Sequence, residues 1–210
     1  MEVLSTIIYS DFGIFKKPDV NINYLTYEFI PKPMVLGILG AIAGFSGYST
    51  QEKVPEYHQK LKDLRVGIQP LKLKPSSKPP YSPTDFCPRE SSLQKTFVTY
   101  NNYHGYGYGK ENLPVKEQIL IQPAFRIFIE KGECEEKDYG CLRENILKTL
   151  SAYTSYMGKN EFLLSVIWGG VGQFESLETK RSNIDTIFFN EIIKEDVWVL
   201  IHFGKFTRRK

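Results

Sequence analysis

An α+β fold is what the sequence predicts, and three observations predict it. Aromatic and β-branched runs at 3–9, 66–73, 93–100, 115–130 and 162–168 read as strands. Two apolar stretches of helical period, one opening at Pro31–Pro33 and one at Cys141–Ala152, read as helices. Their order, strand–helix–strand–strand–helix–strand, is the split βαβ pattern of a ferredoxin-like domain. That domain takes residues 1–175, and 176–210 remain as a small, mainly β extension.

The first strand, Val3 to Tyr9, ends at Asp11-Phe12-Gly13. A second aromatic segment, Ile22 to Ile30, runs into Pro31-Lys32-Pro33, where a helix starts because a proline in the first turn forfeits no needed hydrogen bond. This helix is expected to reach about Gly47. Its bulky residues Met34, Val35, Ile38, Leu39, Ile42 and Phe45 share one side, while Gly37, Gly40, Gly44 and Gly47 share the other. Each interior glycine costs roughly 0.8–1 kcal/mol against alanine, so a bare flank must be offset by something. Two readings stay open: tight packing on a neighbouring element, or close approach of a phosphate chain.

From Lys53 to Lys78 the chain carries Lys53, Lys60, Lys62, Arg65, Lys72, Lys74 and Lys78 against Glu56 and Asp63. Six of the 12 prolines then fall within 70–88, which reads as an exposed irregular connector after a strand at Val66–Leu73. Two strand-like segments follow, Leu93–Tyr100 and Val115–Glu130, the latter interrupted at Gln122-Pro123. Between them, Tyr100 to Lys110 alternates rings with glycine and asparagine: Tyr103, His104, Tyr106 and Tyr108. No core pattern explains these rings. Bases stack on such side chains for about 1–3 kcal/mol each, and a protein partner is the competing reading.

The second helix places Leu142, Ile146, Leu147 and Leu150 on one side. A strand at Phe162–Trp168 leads into Gly169-Gly170-Val171-Gly172, expected as a loop. That loop lacks the lysine and Ser/Thr of a nucleotide P-loop, so no ATPase is read there. The last strand is Val197–Phe203, and the tail adds Lys205, Arg208, Arg209 and Lys210.

Composition narrows the function. The 210 residues carry a net charge of +3, too mild for a generic polyanion binder, so a nucleic-acid site must be local. Cys87, Cys134 and Cys141 have no CxxC spacing and fit a reducing compartment. His58, His104 and His202 are scattered, so neither a metal nor another cofactor is expected. The first ten residues lack a basic signal-peptide start. The longest apolar stretch, Met34–Phe45, falls short of the roughly 20 residues of a membrane span. A cytoplasmic protein with no membrane contact is the expectation.

Three blocks carry a family resemblance. Gly13-Ile-Phe15-Lys16-Lys17-Pro18, Tyr24-Leu-Thr26-Tyr27 and Ile30-Pro31-Lys-Pro33-x-x-Leu36-Gly37-Ile-Leu-Gly40-Ala41 together resemble the N-terminus of the CRISPR-associated Cas-five family. Gln118-x-Leu120-x-x-Pro123-x-Phe125-Arg126-Ile127 is similar to its middle strand, and Tyr153-Thr-Ser-Tyr156-Met-Gly158-Lys159-Asn160-Glu161-Phe162 to its late motif. Variant details are similar to the type I-B subgroup.

The resemblance implies a RAMP-type protein with an RRM-like ferredoxin domain. Such a subunit holds the 5′ handle of the CRISPR RNA at one end of a type I Cascade complex. Its partners are that RNA, the backbone and large subunits and, indirectly, target DNA. A hairpin thumb inserted in the domain touches the neighbouring subunit, and by position Leu64–Leu113 is the candidate. Lys16, Lys17, Lys53 and Lys159 are the candidates for phosphate contact, and Tyr48, Tyr103, Tyr106 and Tyr108 for stacking, with His104 and Lys110 in the same loop. No catalytic residue is assigned. Some family members do cleave precursor RNA without metal, using a Tyr/Lys/His set, and Tyr48, His104 and Lys110 are the residues that alternative would use. The adjacent Lys-His pair of those processing members is absent here. A protein-only scaffold is the third reading.

Overall fold

A computed structural model of the chain describes residues 2–18, 23–48, 53–102, 113–173, 175–177, 187–188 and 198–200. Its central object is an antiparallel sheet. β1 (Glu2–Tyr9) lies between β8 (Ala124–Glu130) and β9 (Ser165–Gln173), and β4 (Arg65–Leu73) pairs with the far side of β8. The register runs Leu4↔Ile129 and Ile68↔Ile127, with a shift between Ile7 and Ile8 on the β9 side.

Strand alternation sorts the side chains. Leu4, Ile8, Val66, Ile68, Phe125, Ile127 and Ile129 join one buried cluster with the helices α1 (Lys32–Ala43) and α3 (Glu136–Leu147). Ile7, Tyr9, Leu71 and Ala124 form a second cluster, with Phe86 of β5 (Phe86–Pro88). The sheet thus packs apolar side chains on both sides, with Ser5, Thr6 and Gln69 also buried within it. α2 (Glu56–Leu61) bridges α1 and α3: Lys60 pairs with Glu56 at 3.0 Å and Asp138 at 3.2 Å, and its ammonium lies 4.2 Å from the Phe45 ring centre.

A smaller sheet stands on this core. β7 (Leu113–Ile121) pairs antiparallel with β6 (Lys95–Asn102) from Lys95↔Leu120 to Asn102↔Leu113. Its other side takes β2 (Phe12–Gly13) and, in parallel, β3 (Asn23–Tyr24). The break at Gln122-Pro123 is the junction between the two sheets. Gln122 has φ of 48° and its N–H donates to the Asp11 carbonyl at 2.8 Å, so β7 and β8 leave in different sheets.

Several expectations change. The first helix stops at Ala43 rather than Gly47, because Gly44 takes a left-handed φ of 85° and returns its N–H to the Gly40 carbonyl. Gly44 is thus a cap and Gly47 lies beyond the helix; only Gly37 and Gly40 make the bare flank. The second helix begins at Glu136, five residues before the expected Cys141, with Glu136 and Asp138 at its positive end, and it is over before Thr149 at φ 54°. Residues 169–172 are strand, not loop: the Ile146 carbonyl lies where a Cβ on Gly169 would stand, and the Trp168 ring lies over Gly170. The Ile22–Ile30 segment contributes only Asn23–Tyr24 as strand. The rest of its described residues bond to the 14–17 loop through Tyr27 N–H→Phe15 O (2.9 Å) and Phe15 N–H→Thr26 Oγ1 (2.8 Å).

Of the C-terminal stretch, β10 (Glu175–Leu177) pairs with β12 (Trp198–Leu200), and β11 (Ile187–Phe188) adds to the outer edge of β4. The expected insertion at 64–113 meets three objects: β4 in the central sheet, the segment 74–94 including β5, and the β6–β7 hairpin. Among the described residues, no helix is long and apolar enough to cross a membrane.

Candidate nucleic-acid interface

Three of the lysines singled out from the sequence lie on two loops that run side by side where the small sheet leaves the large one. The loop after β2 runs beside the loop after α3: Ile14 N–H donates to the Met157 carbonyl at 3.0 Å. Gly158 permits that approach. It has φ of 90°, and a Cβ there would overlap the Ile14 carbonyl oxygen. Lys16 and Lys17 leave one loop and Lys159 the other.

Each lysine has an aromatic neighbour. The Lys16 ammonium lies 3.2 Å from the Tyr24 ring centre, Lys17 5.4 Å from Tyr27, and Lys159 5.3 Å from Tyr100. Tyr24 sits in register with Glu117 of β7, and Lys159 closes the circle by pairing with Glu117 at 2.7 Å. The other oxygen of Glu117 accepts from the Tyr100 hydroxyl at 3.1 Å.

These lysines are not equivalent. Glu117 is only 6% exposed, so Lys159 is tied to a buried carboxylate. Burial alone would lower its pKa, but the hydrogen bond and charge of Glu117 outweigh that and hold it above the ordinary lysine value. Tyr100 is raised by burial and then by Glu117. Lys159 thus braces the hairpin as much as it offers charge. Lys16 is exposed and Lys17 half-buried, so a polyanion can reach both. Lys95 pairs with Glu28, and Lys116 lies 4.7 Å from the exposed Phe97 ring.

Tyr48 and Lys53 lie elsewhere, on the connection from α1 to α2, and both are exposed. Tyr103, His104, Tyr106, Tyr108 and Lys110 lie outside the described residues, as do His202 and the basic tail. Three of the seven basic residues at 53–78 are engaged in structure: Lys60 as above, Arg65 with Glu130 at 3.3 Å, and Lys74 with the Thr84 carbonyl at 2.6 Å. The bare flank of α1 takes a side chain. The Tyr57 Cβ fills the space above Gly40, and its ring carbons lie 3.9–4.0 Å from a Cβ placed on Gly37. Of the two readings of that flank, packing against a neighbouring helix is what these positions show.

Sequence reasoning missed Tyr24, Tyr27, Tyr100, Glu117 and Tyr57. The one available signal was alternation in β7, which puts Glu117 on the same side as Val115 and Ile119; all three are buried. Among the described residues, no group of three or more His, Cys, Asp or Glu could hold a metal, and the three cysteines are free.

The chain matches no protein-family model and no curated protein. Among solved structures it is similar to a chain of a "CRISPR RNA-guided surveillance complex" (9% identity, 75% of this chain and 58% of that one, TM-score 0.45). It is also similar to a functionally uncharacterized protein, SMU1763c from Streptococcus mutans (11%, 79% and 66%, 0.39), and to a Cas protein (16%, 75% and 57%, 0.40). The chain thus spans somewhat under two thirds of each of these structures.

Proposed function

We propose that this chain is a non-catalytic RNA-binding subunit of a CRISPR surveillance complex of the Cascade type, holding the 5′ handle of the CRISPR RNA. The observation that carries the reading is that Lys16 and Lys17 lie against the Tyr24 and Tyr27 rings beside the hairpin that Lys159 braces; these five residues, though not the hairpin as a whole, belong to the sequence blocks that resemble the Cas-five family. Single-stranded RNA is held by cations on its phosphates and rings under its bases, and this corner offers both. The central strand order, β4-β8-β1-β9 with helices on one side, supports a ferredoxin-like, RRM-like domain. The β6–β7 hairpin is the element best suited to act as the thumb, since Phe97, Val98 and Tyr100 lie exposed along it.

The reading excludes cutting. Cleavage at a phosphodiester needs a base for the 2′-hydroxyl and donors for the developing charge. The missing Lys-His pair argues against that set in this sequence. Incubation of the purified chain with repeat RNA in chelator separates the two activities. Retention of intact RNA is expected; a site-specific cut lost in His104→Ala would replace this reading with an endoribonuclease. Binding that needs no RNA at all in the reconstituted complex would favour the protein-only scaffold.

A further inference from the structure

The rings at the lysine corner differ in what they leave open. The Lys16 ammonium, 3.2 Å from the Tyr24 ring centre, covers one side of that ring. Tyr27 packs partly against the core, with Lys17 5.4 Å from its ring centre. Phe29 stands beside it, 37% exposed, with its ring centre 5.8 Å from that of Tyr27 and the two planes at 41°. It falls between the sequence blocks that carry the family resemblance. The backbone on either side is pinned. Tyr27 N–H donates to the Phe15 carbonyl and Lys17 N–H to the Leu25 carbonyl, each at 2.9 Å, and Ile30 is fully buried. Glu28, between the two rings in sequence, is held by Lys95, whose hydrogen bond and charge lower its pKa, so its charge is matched within the chain.

A tilted pair of this kind is ordinary packing for Tyr27, but the exposed part of Phe29 takes no share in it. We propose that Phe29 is the base-stacking residue of the lysine corner: an unpaired base stacks on its ring, backed by Tyr27, while Lys17 holds the phosphate of that nucleotide. This rests on the RNA-binding reading above and adds what that reading lacks, a means of choosing single strands over duplexes. Lysines attract the phosphates of either, whereas a base already paired and stacked cannot lie on a protein ring. Phe29 has no polar edge, so the choice is between unpaired and paired bases and not among the four bases.

The test uses the full chain and a short RNA of mixed sequence, alone and annealed to its complement, read by fluorescence anisotropy. Phe29→Leu keeps an apolar side chain and removes the ring. Its single-strand affinity is expected to fall about tenfold while duplex affinity and the salt slope hold, so the preference for single strands collapses. Phe29→Trp is expected to keep that preference, with emission quenched by the single strand and not by the duplex. An unchanged preference in Phe29→Leu, or emission from Phe29→Trp that ignores the single strand, overturns the stacking role and leaves the RNA-binding reading standing. An equal loss on both ligands in Phe29→Leu does the same. Normal RNA binding by Phe29→Leu with loss of partner-subunit capture overturns it in favour of a protein contact. A wild-type chain that binds neither RNA overturns both proposals.

Discussion

Glu117 organises the candidate site, because it is the buried charge on which Lys159 and Tyr100 converge. Removing one partner of a buried pair leaves the other uncompensated. With Lys159 partly solvated, Glu117→Gln is expected to cost about 2 kcal/mol in denaturant unfolding. Adding Lys159→Met to that variant is expected to cost little more, since the pair is already broken. The pH dependence follows from the raised lysine. Its contribution is fully present below the ordinary lysine value of about 10.4 and is lost as pH rises through the higher folded value, so this pair gives a flat profile from pH 7 to 9. Two glycines give a second contrast. Gly40→Ala is expected to lose about 1–3 kcal/mol by driving Tyr57 off α1, whereas Gly37→Ala, with ordinary contact distances to Tyr57, gains up to about 1 kcal/mol. Paired thermal or denaturant melts distinguish the two.

Elements show where reading from sequence works and where it stops. β1, α1, β4 and the two strands around the tyrosine-rich stretch were legible, because each is an apolar run of clear period bounded by proline, glycine or asparagine. The end of α1 was misplaced because Gly44 looks like a member of a stripe until its left-handed φ shows it to be a cap. The 169–172 glycines read as a loop because their reason is tertiary: the α3 terminus and the Trp168 ring lie against that strand. The sequence places the start of α3 too late because its first three residues, Glu136, Lys137 and Asp138, are charged. For the hairpin, the exposed Phe97 and Val98 on β6 suit the partner contact proposed for it. Phe97→Ser with Val98→Ser is expected to change stability by less than about 0.5 kcal/mol and to reduce co-purification with partner subunits. Unaltered co-purification would remove the hairpin from the proposed assembly surface.

At the scale of the molecule, an apolar antiparallel sheet holds two loops together at one corner, and those loops carry Lys16, Lys17 and Lys159. The candidate lysines could be named from sequence, but their company could not, since Tyr24, Tyr100 and Glu117 reach them only through the pairing of β3, β6 and β7. The central claim is that this corner grips single-stranded RNA through its phosphates. The most direct measurement is the salt dependence of RNA binding by the wild-type chain and by Lys16→Ala with Lys17→Ala. For single strands, log K falls with log salt by about 0.7 per neutralised phosphate, so the double variant is expected to be flatter by about 1.4. An identical slope in the two proteins, or wild-type binding indifferent to salt, would contradict the account.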